Sequence, residues 1–235
     1  MRKPEMILFD YGGTLLTEPG FDASACERAA WPYLTANPRG LTVEQACAEV
    51  QRLYAEFQRR RSAWGEVHQW QFMRLAYESM GLRFSLPWAE LEEIEWTAAS
   101  PGAVQPHADE MLRDLKARGI ATGVISNIGW SGAALTRRLD RLLPENAFAF
   151  VLASSEYAVR KPNPLLFQVA LARAGLSAGQ VWYCGDQWEA DVLGARGAGL
   201  FPVYYSPQAE APAADFPFLR LRDWRELTAA LAACD

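Results

Sequence analysis

The chain has 235 residues, of which 50% are hydrophobic and 22% are charged, and its formal net charge is -5. This length suits one sizeable α/β domain with a smaller insertion, and the composition is that of an ordinary globular protein. The acidic balance excludes an overall basic surface of the kind that binds nucleic acid, so we expect no nucleic-acid partner.

The cysteines and the N-terminal residues indicate the cellular compartment of the protein. Cys26, Cys47, Cys184 and Cys234 are widely spaced and form no CxxC pair, which indicates neither a zinc site nor a disulfide framework. The first ten residues are too short and too polar for a secretion signal, and no apolar run reaches membrane-spanning length. We therefore expect a reduced, cytoplasmic protein with no membrane partner, and both a monomer and a homodimer stay open.

The first predicted element is a short buried strand, Met6–Phe9, which ends at Asp10. Gly12 and Gly13 follow and indicate a tight turn. From about residue 21 to residue 97, apolar side chains recur at helical spacing. This stretch predicts several amphipathic helices and no convincing strand.

After residue 100 the pattern alternates between strands and helices. We predict strands at 120–126, 148–153, 181–184, 202–205 and 219–221, and helices at 108–118, 164–174, 190–196 and 223–233. Such alternation with short connections is typical of an α/β fold with a Rossmann-like, doubly wound parallel sheet. The sequence thus predicts a core domain of residues 1–18 and 100–235, with an α-helical cap domain, residues 19–99, inserted into it.

Chemically useful side chains follow the predicted strands, where parallel sheets place their ligands. Asp10 is a carboxylate nucleophile on a glycine-containing turn whose N–H groups suit an anion. Ser126 offers a hydroxyl to a phosphate oxygen, and Lys161 offers a fixed cation. Asp186 and Asp191 form a pair of acids suited to Mg²⁺. Each feature alone is common, but their ordered combination favours phosphoryl transfer through a covalent aspartyl intermediate.

Four stretches carry a family resemblance: ILFDYGGTLL (7–16), GVISNIG (123–129), RKPNPLLF (160–167) and YCGDQWEADVLGARGAG (183–199). They resemble the motifs of the haloacid dehalogenase-like (HAD) hydrolases, subfamily I with a helical cap. The resemblance covers the α/β core from end to end, whereas the cap matches only in position and helical character. It implies a hydrolase that uses Mg²⁺.

The resemblance also implies roles for individual residues. Asp10 would be the nucleophile, and Lys161 would act beside it in catalysis. The groups that bind the substrate would be Gly12, Gly13, Ser126, Asn127 and Lys161. Mg²⁺ would be held by Asp10, Asp186 and the backbone carbonyl of Gly12, with Asp191 beside them.

One position departs from the family pattern. Most phosphatases of this pattern carry a second aspartate two residues after the nucleophile, which protonates the leaving group and later activates water. Here that position is Gly12. Loss of a general acid–base group costs about 10²–10⁴-fold in rate, and it matters least when the leaving group is already a good one.

Gly12 leaves three interpretations open. In the first, the protein is a phosphatase whose proton is handled by water, by the substrate or by a cap residue such as His68 or Glu66. In the second, it is a 2-haloacid dehalogenase, since halide leaves without a proton. Those relatives carry an aromatic residue two positions after the aspartate, however, whereas Tyr11 is one position after it. In the third, the domain binds a ligand or a protein without catalysis.

A fourth activity, phosphonoacetaldehyde hydrolysis, is rejected. It needs a cap lysine that forms a Schiff base, and residues 15–100 contain no lysine. We therefore predict a Mg²⁺-dependent phosphatase that acts on a small phosphorylated metabolite.

Two further stretches of the cap and the two histidines also carry predictions. Trp64-Gly65 interrupts the helical pattern of the cap, as expected for a loop that faces the site. Arg59-Arg60-Arg61 is interpreted as a solvated helix face. His68 and His107 are interpreted as structural residues.

Overall fold

The computed structural model describes residues 2–60, 65–208 and 210–234, apart from the side chains of Arg59 and Arg60. Its strands are β1 (Met6–Phe9), β2 (Leu16–Thr17), β3 (Leu34–Ala36), β4 (Arg83–Phe84), β5 (Ala103–Val104), β6 (Ala121–Ser126), β7 (Phe148–Ala153), β8 (Val181–Gly185), β9 (Phe201–Tyr205) and β10 (Leu219–Leu221). Its helices are α1 (Ser24–Ala30), α2 (Val43–Arg60), α3 (Gln69–Met80), α4 (Trp88–Ala99), α5 (Ala108–Ala117), α6 (Gly132–Leu142), α7 (Pro164–Ala174), α8 (Gly194–Gly197) and α9 (Trp224–Ala232).

A six-stranded parallel sheet of order β10-β9-β8-β1-β6-β7 forms the core. Alternate side chains of β1 enter the two apolar layers of this core. Ile7 and Phe9 pack with α5, α6 and α9, whereas Met6 and Leu8 pack with α7 and α8. A strand buried on both faces reads as a continuous apolar run, as β1 does. The predicted doubly wound α/β fold is therefore confirmed.

Several elements differ from the sequence-based expectation. The amphipathic helix α6 was not predicted. The expectation of a cap without strands is wrong, because β3 and β4 pair there in antiparallel fashion, although they are too short to show a two-residue period. The helix predicted at 190–196 instead begins as a π-helical turn over Trp188–Leu193 before α8.

The helical segment α1–α4 lies between β2 and β5, which pair in antiparallel fashion and so bring its two ends together. Its interior is a separate apolar cluster that includes Ala30, Met73, Tyr77 and Leu91. We propose that residues 19–99, which include α1–α4, form the cap. Across the described part of the chain, the helices are all too short or too polar to cross a bilayer.

Arg138 on α6 fastens the two ends of the cap segment to the core. Its guanidinium group is buried and donates to the carboxylate of Glu18 at 2.8 Å and to the carbonyl of Ser100 at 2.8 Å. Its Nε donates to the hydroxyl of Tyr11 at 2.8 Å. The same group lies 4.5 Å from the centre of the Trp96 ring. One side chain thus joins both linkers, helix α4 and the residue after Asp10.

We expect Arg138→Met to lower the free energy of unfolding by at least about 2 kcal/mol, because it removes charge-assisted hydrogen bonds from a buried site. Denaturant titration of the purified variant measures the change. Arg137→Met is the matched control, since Arg137 and its partner Glu93 form an exposed ion pair of the kind that contributes about 0–1 kcal/mol. Equal losses of unfolding free energy in the two variants would contradict the role of Arg138 in fastening the cap segment to the core.

Candidate active site

Three adjacent strands end at the site. Asp10 directly follows β1, Ser126 is the last residue of β6, and Asp186 follows Gly185 at the end of β8. Because β1 lies between β6 and β8, these residues share one edge of the sheet. The Asp10 amide donates to the carbonyl of Cys184 at 2.8 Å, which continues the pairing with β8 through the nucleophile candidate. The sheet itself therefore fixes the backbone of Asp10.

Lys161 is the centre of the site. Its ammonium group is almost fully buried and donates to Asp10 Oδ1 at 2.6 Å and to Asp191 Oδ1 at 2.7 Å. A third bond, at 2.5 Å, joins it to the hydroxyl of Tyr183. That hydroxyl donates onward to the carbonyl of Ile125 at 3.1 Å. The lysine is thus held in one position beside the carboxylate of Asp10.

Asn127 fixes the backbone that carries Lys161. Its amide nitrogen donates to the Lys161 carbonyl at 2.9 Å, and its side-chain oxygen accepts the Lys161 amide at 2.7 Å. The loop after β6 is thereby tied to the loop that brings in the lysine. In this structure the Asn127 side chain positions Lys161, while its predicted contact with substrate stays a prediction.

Asp10, Asp186 and Asp191 form an acidic cluster in which one oxygen from each lies within 4.8 Å of the others. The oxygens of Asp191 accept bonds from Lys161 and from the amide of Gln187. Asp186 differs, because its Oδ1 is buried and has no hydrogen-bond partner in the described residues. Such a group needs a partner, and carboxylate oxygens suit hard cations such as Mg²⁺.

The charges within the acidic cluster also favour a bound cation. Burial, reinforced by the neighbouring aspartates and opposed by Lys161, raises the pKa of Asp10 to about 7. Burial and the charge of Asp191 raise the pKa of Asp186 to about 6. Burial alone would lower the pKa of Lys161, but Asp10 and Asp191 outweigh it and raise that pKa. Three acids face one ammonium group, so a divalent cation fits the residues present.

Two glycines after Asp10 differ in the room around them. At Gly13, where φ is +80°, an added Cβ would lie 2.2 Å from an oxygen of Asp186. At Gly12 an added Cβ would meet no atom within 4 Å. Gly13 is therefore required by the close approach of Asp186, whereas the space beside Gly12 is open.

Tyr11 does not face the nucleophile. Its hydroxyl donates to Glu18 and accepts from Arg138, and its ring packs edge-on against Trp96 with 5.9 Å between centres. Sequence reasoning did not assign this role to Tyr11, nor the role of Tyr183 beside Lys161. For Tyr183 the sequence did offer a signal, because it is a tyrosine within an apolar strand, three residues before Asp186.

The two histidines and Glu66 have structural contacts. His68 begins α3, where its Nδ1 accepts the amide of Trp70 at 3.2 Å. His107 begins α5 and lies 3.0 Å from an oxygen of Asp223. Glu66 is buried and accepts the hydroxyl of Ser154 at 2.8 Å.

The predictions for the remaining cap residues fall outside the description of the structure. Arg61 and Trp64 lie outside the described residues, as do the side chains of Arg59 and Arg60. The suggested loop at Trp64-Gly65 and the solvated arginine face therefore stay predictions.

Residues 4–199 match the family model described as haloacid dehalogenase-like hydrolase. The chain belongs to this family. Membership makes it a hydrolase and confirms the resemblance of the four motifs.

Curated relatives include phosphatases. The ribulose-1,5-bisphosphate 5-phosphatase of Halopiger xanaduensis is 31% identical over 126 residues, which are 53% of this chain and 52% of that protein. The glyceraldehyde 3-phosphate phosphatase of Methanothermobacter thermautotrophicus is 27% identical over 199 residues, which are 84% of this chain and 83% of that protein. The chain thus spans about half the length of the first relative and most of the second.

Solved structures share the fold. An HAD phosphatase from Thermococcus onnurineus has a TM-score of 0.67 at 22% identity, covering 100% of this chain and 99% of that chain. A 2-haloacid dehalogenase from Pseudomonas syringae pv. Tomato DC3000 has a TM-score of 0.64 at 24% identity, with 99% of each chain covered. Proteins described as phosphatase and as dehalogenase share this fold, so the fold alone does not select the reaction.

We expect Gly13→Ala to destabilise this HAD-family hydrolase by about 1–2 kcal/mol or more, because a Cβ in the left-handed region is strained and here also collides with Asp186. Gly12→Ala is the matched control and should change stability by no more than about 0.5 kcal/mol. Thermal unfolding of both variants measures the difference. Similar melting temperatures for the two variants would show that Asp186 moves aside freely.

Proposed function

We propose that this hydrolase is a Mg²⁺-dependent phosphatase of a small phosphorylated metabolite, with Asp10 as the nucleophile. The observation that carries the proposal is the buried Lys161 ammonium group, held between Asp10 and Asp191 at the edge of the sheet. The phosphatase activity named for the two curated relatives supports the same reaction class. The described cysteines are free thiols, which suits the cytoplasmic location that we also propose.

In the proposed reaction the carboxylate of Asp10 attacks phosphorus, and the bond from phosphorus to the leaving oxygen breaks. An aspartyl phosphate forms on Asp10, and water then attacks its phosphorus to release inorganic phosphate and the free carboxylate. Lys161 neutralises charge on Asp10 and on the transferring group. Ser126 and the backbone amides near Gly12 and Gly13 would bind the phosphoryl oxygens.

The acidic cluster would hold the metal. Asp10 and Asp186 are the first candidates, because Asp191 is already engaged with Lys161 and the Gln187 amide. The backbone carbonyl of Gly12 remains a further candidate ligand. When bound, Mg²⁺ supplies charge screening between the nucleophile and the phosphate.

The dehalogenase alternative is disfavoured by Tyr11. Its hydroxyl is bonded to Glu18 and Arg138, and the position two residues after Asp10 is a glycine, which has no side chain. We propose that solvent protonates the leaving group, because His68 Nδ1 already accepts the amide of Trp70 and Glu66 already accepts the hydroxyl of Ser154.

Asp10→Asn should lower Mg²⁺-dependent hydrolysis of phenyl phosphate at least about 10³-fold, because the nucleophile is lost. Steady-state assays with and without Mg²⁺ measure the effect, and Asp109→Asn, on the exposed face of α5, is the control. Undiminished activity would exclude Asp10 as the nucleophile. Metal-independent release of halide from 2-haloacids by the unaltered protein would favour the dehalogenase, and turnover of neither substrate class would favour a binding domain.

Gly12→Asp should restore a general acid at a position with room for it. We expect hydrolysis of alkyl phosphates to rise up to about 10²-fold, with a smaller gain for aryl phosphates, whose leaving groups need less protonation. Gly12→Asn matches the new side chain in size without supplying a proton. Equal rates for the aspartate and asparagine variants would show that Gly12 does not limit the reaction.

A further inference from the structure

A cavity of about 320 Å³ lies between the cap and the core. Its core side is formed by Asn127, Ile128 and Arg160. Asn127 directly follows Ser126 in the chain and Arg160 directly precedes Lys161. Asn127 is also hydrogen-bonded to the Lys161 backbone. The loops that follow Ser126 and precede Lys161 therefore contribute to the floor of this cavity.

The cap side of the cavity is rich in aromatic rings. Tyr54, Phe57, Phe72 and Tyr77 line it. Tyr54 and Phe57 both pack against Phe72, with ring centres 5.4 Å and 5.8 Å apart. Phe21 also lines it and is 52% exposed, while Tyr54 is 47% exposed, so these two rings form a rim in contact with solvent. A cavity of about 150 Å³ is enough for benzene, so this one accommodates a substituted ring.

The charges on the wall disfavour an anionic leaving group. Of the described lining residues only Arg160 is a cation, and it lies 3.6 Å from the buried carboxylate of Glu66. Two further acids, Glu27 and Glu95, line the cap side. Burial raises the pKa of Glu95 to about 8 and that of Glu27 to about 7, and a carboxyl group supplies no positive charge whether it is protonated or ionised. Among the described lining residues, a second carboxylate or phosphate on the substrate would find no cation other than Arg160, whose charge Glu66 already opposes.

We propose that this cavity binds the leaving group and that the preferred substrate is a phosphate monoester of a neutral aromatic alcohol. The inference rests on the proposed phosphatase function and specifies its substrate class. Gly12 supports it independently, because a phenol, with a pKa of about 10 like that of tyrosine, leaves as the anion more readily than an alkyl alcohol. The aryl oxygen departs with the electron pair of the broken phosphorus–oxygen bond and takes its proton from solvent.

The test compares kcat/KM for 2-naphthyl phosphate, acetyl phosphate and phosphoglycolate in the presence of Mg²⁺. Acetyl phosphate has a good leaving group that is too small to fill the cavity. We expect 2-naphthyl phosphate to exceed phosphoglycolate at least 100-fold. Tyr54→Ala should lower the ratio of 2-naphthyl phosphate to acetyl phosphate turnover about tenfold, the size of one lost aromatic contact. Tyr33→Ala removes a similarly exposed cap tyrosine outside the cavity lining and should leave the ratio unchanged.

The outcomes separate the two proposals. Acetyl phosphate turnover without a preference for 2-naphthyl phosphate would overturn the substrate class and leave the phosphatase function standing. So would a turnover ratio that does not change in Tyr54→Ala. Turnover of none of the three phosphates would overturn the phosphatase function itself.

Discussion

The ammonium group of Lys161 is withdrawn from water, and the free energy lost in desolvating it must be recovered from close partners. Asp10 and Asp191 supply two carboxylates within 2.7 Å, and Tyr183 supplies a third contact. Removing any of these groups would leave a buried charge without full compensation. The same bonds that stabilise the lysine hold the Asp10 carboxylate in one orientation, so the requirements of folding and of the proposed nucleophilic attack coincide at this residue.

Lys161 neutralises only part of the charge around it. Asp10, Asp186 and Asp191 converge on one place, and the raised pKa values of Asp10 and Asp186 reflect both their burial and their mutual repulsion. A doubly charged cation beside Asp186 would lower both pKa values and keep the nucleophile ionised near neutral pH. The acidic cluster and the lysine are therefore complementary parts of one electrostatic arrangement.

The core of the fold and the placement of Asp10, Ser126 and Asp186 could be predicted from sequence, because buried parallel strands are continuous apolar runs and polar side chains at their ends meet at one edge. The contacts of Arg138 could not be predicted, since Tyr11 and Glu18 lie more than a hundred positions from it in the chain, although the apolar periodicity of α6 was a signal for the helix itself. The cavity was equally hidden, because its walls come from the cap helices and from two separate core loops.

Gly12 connects the proposed reaction at Asp10 with the proposed specificity of the cap. A family member with an acid at this position activates its leaving group locally, so the cap needs only to recognise shape and charge. Without that acid, the reactivity of the substrate itself would set the rate of the proposed reaction, and an apolar, aromatic cavity would select substrates whose leaving group is both complementary to it and stable as an anion. Gly12 and the aromatic lining of the cap would then favour the same substrates, phosphate monoesters of aromatic alcohols.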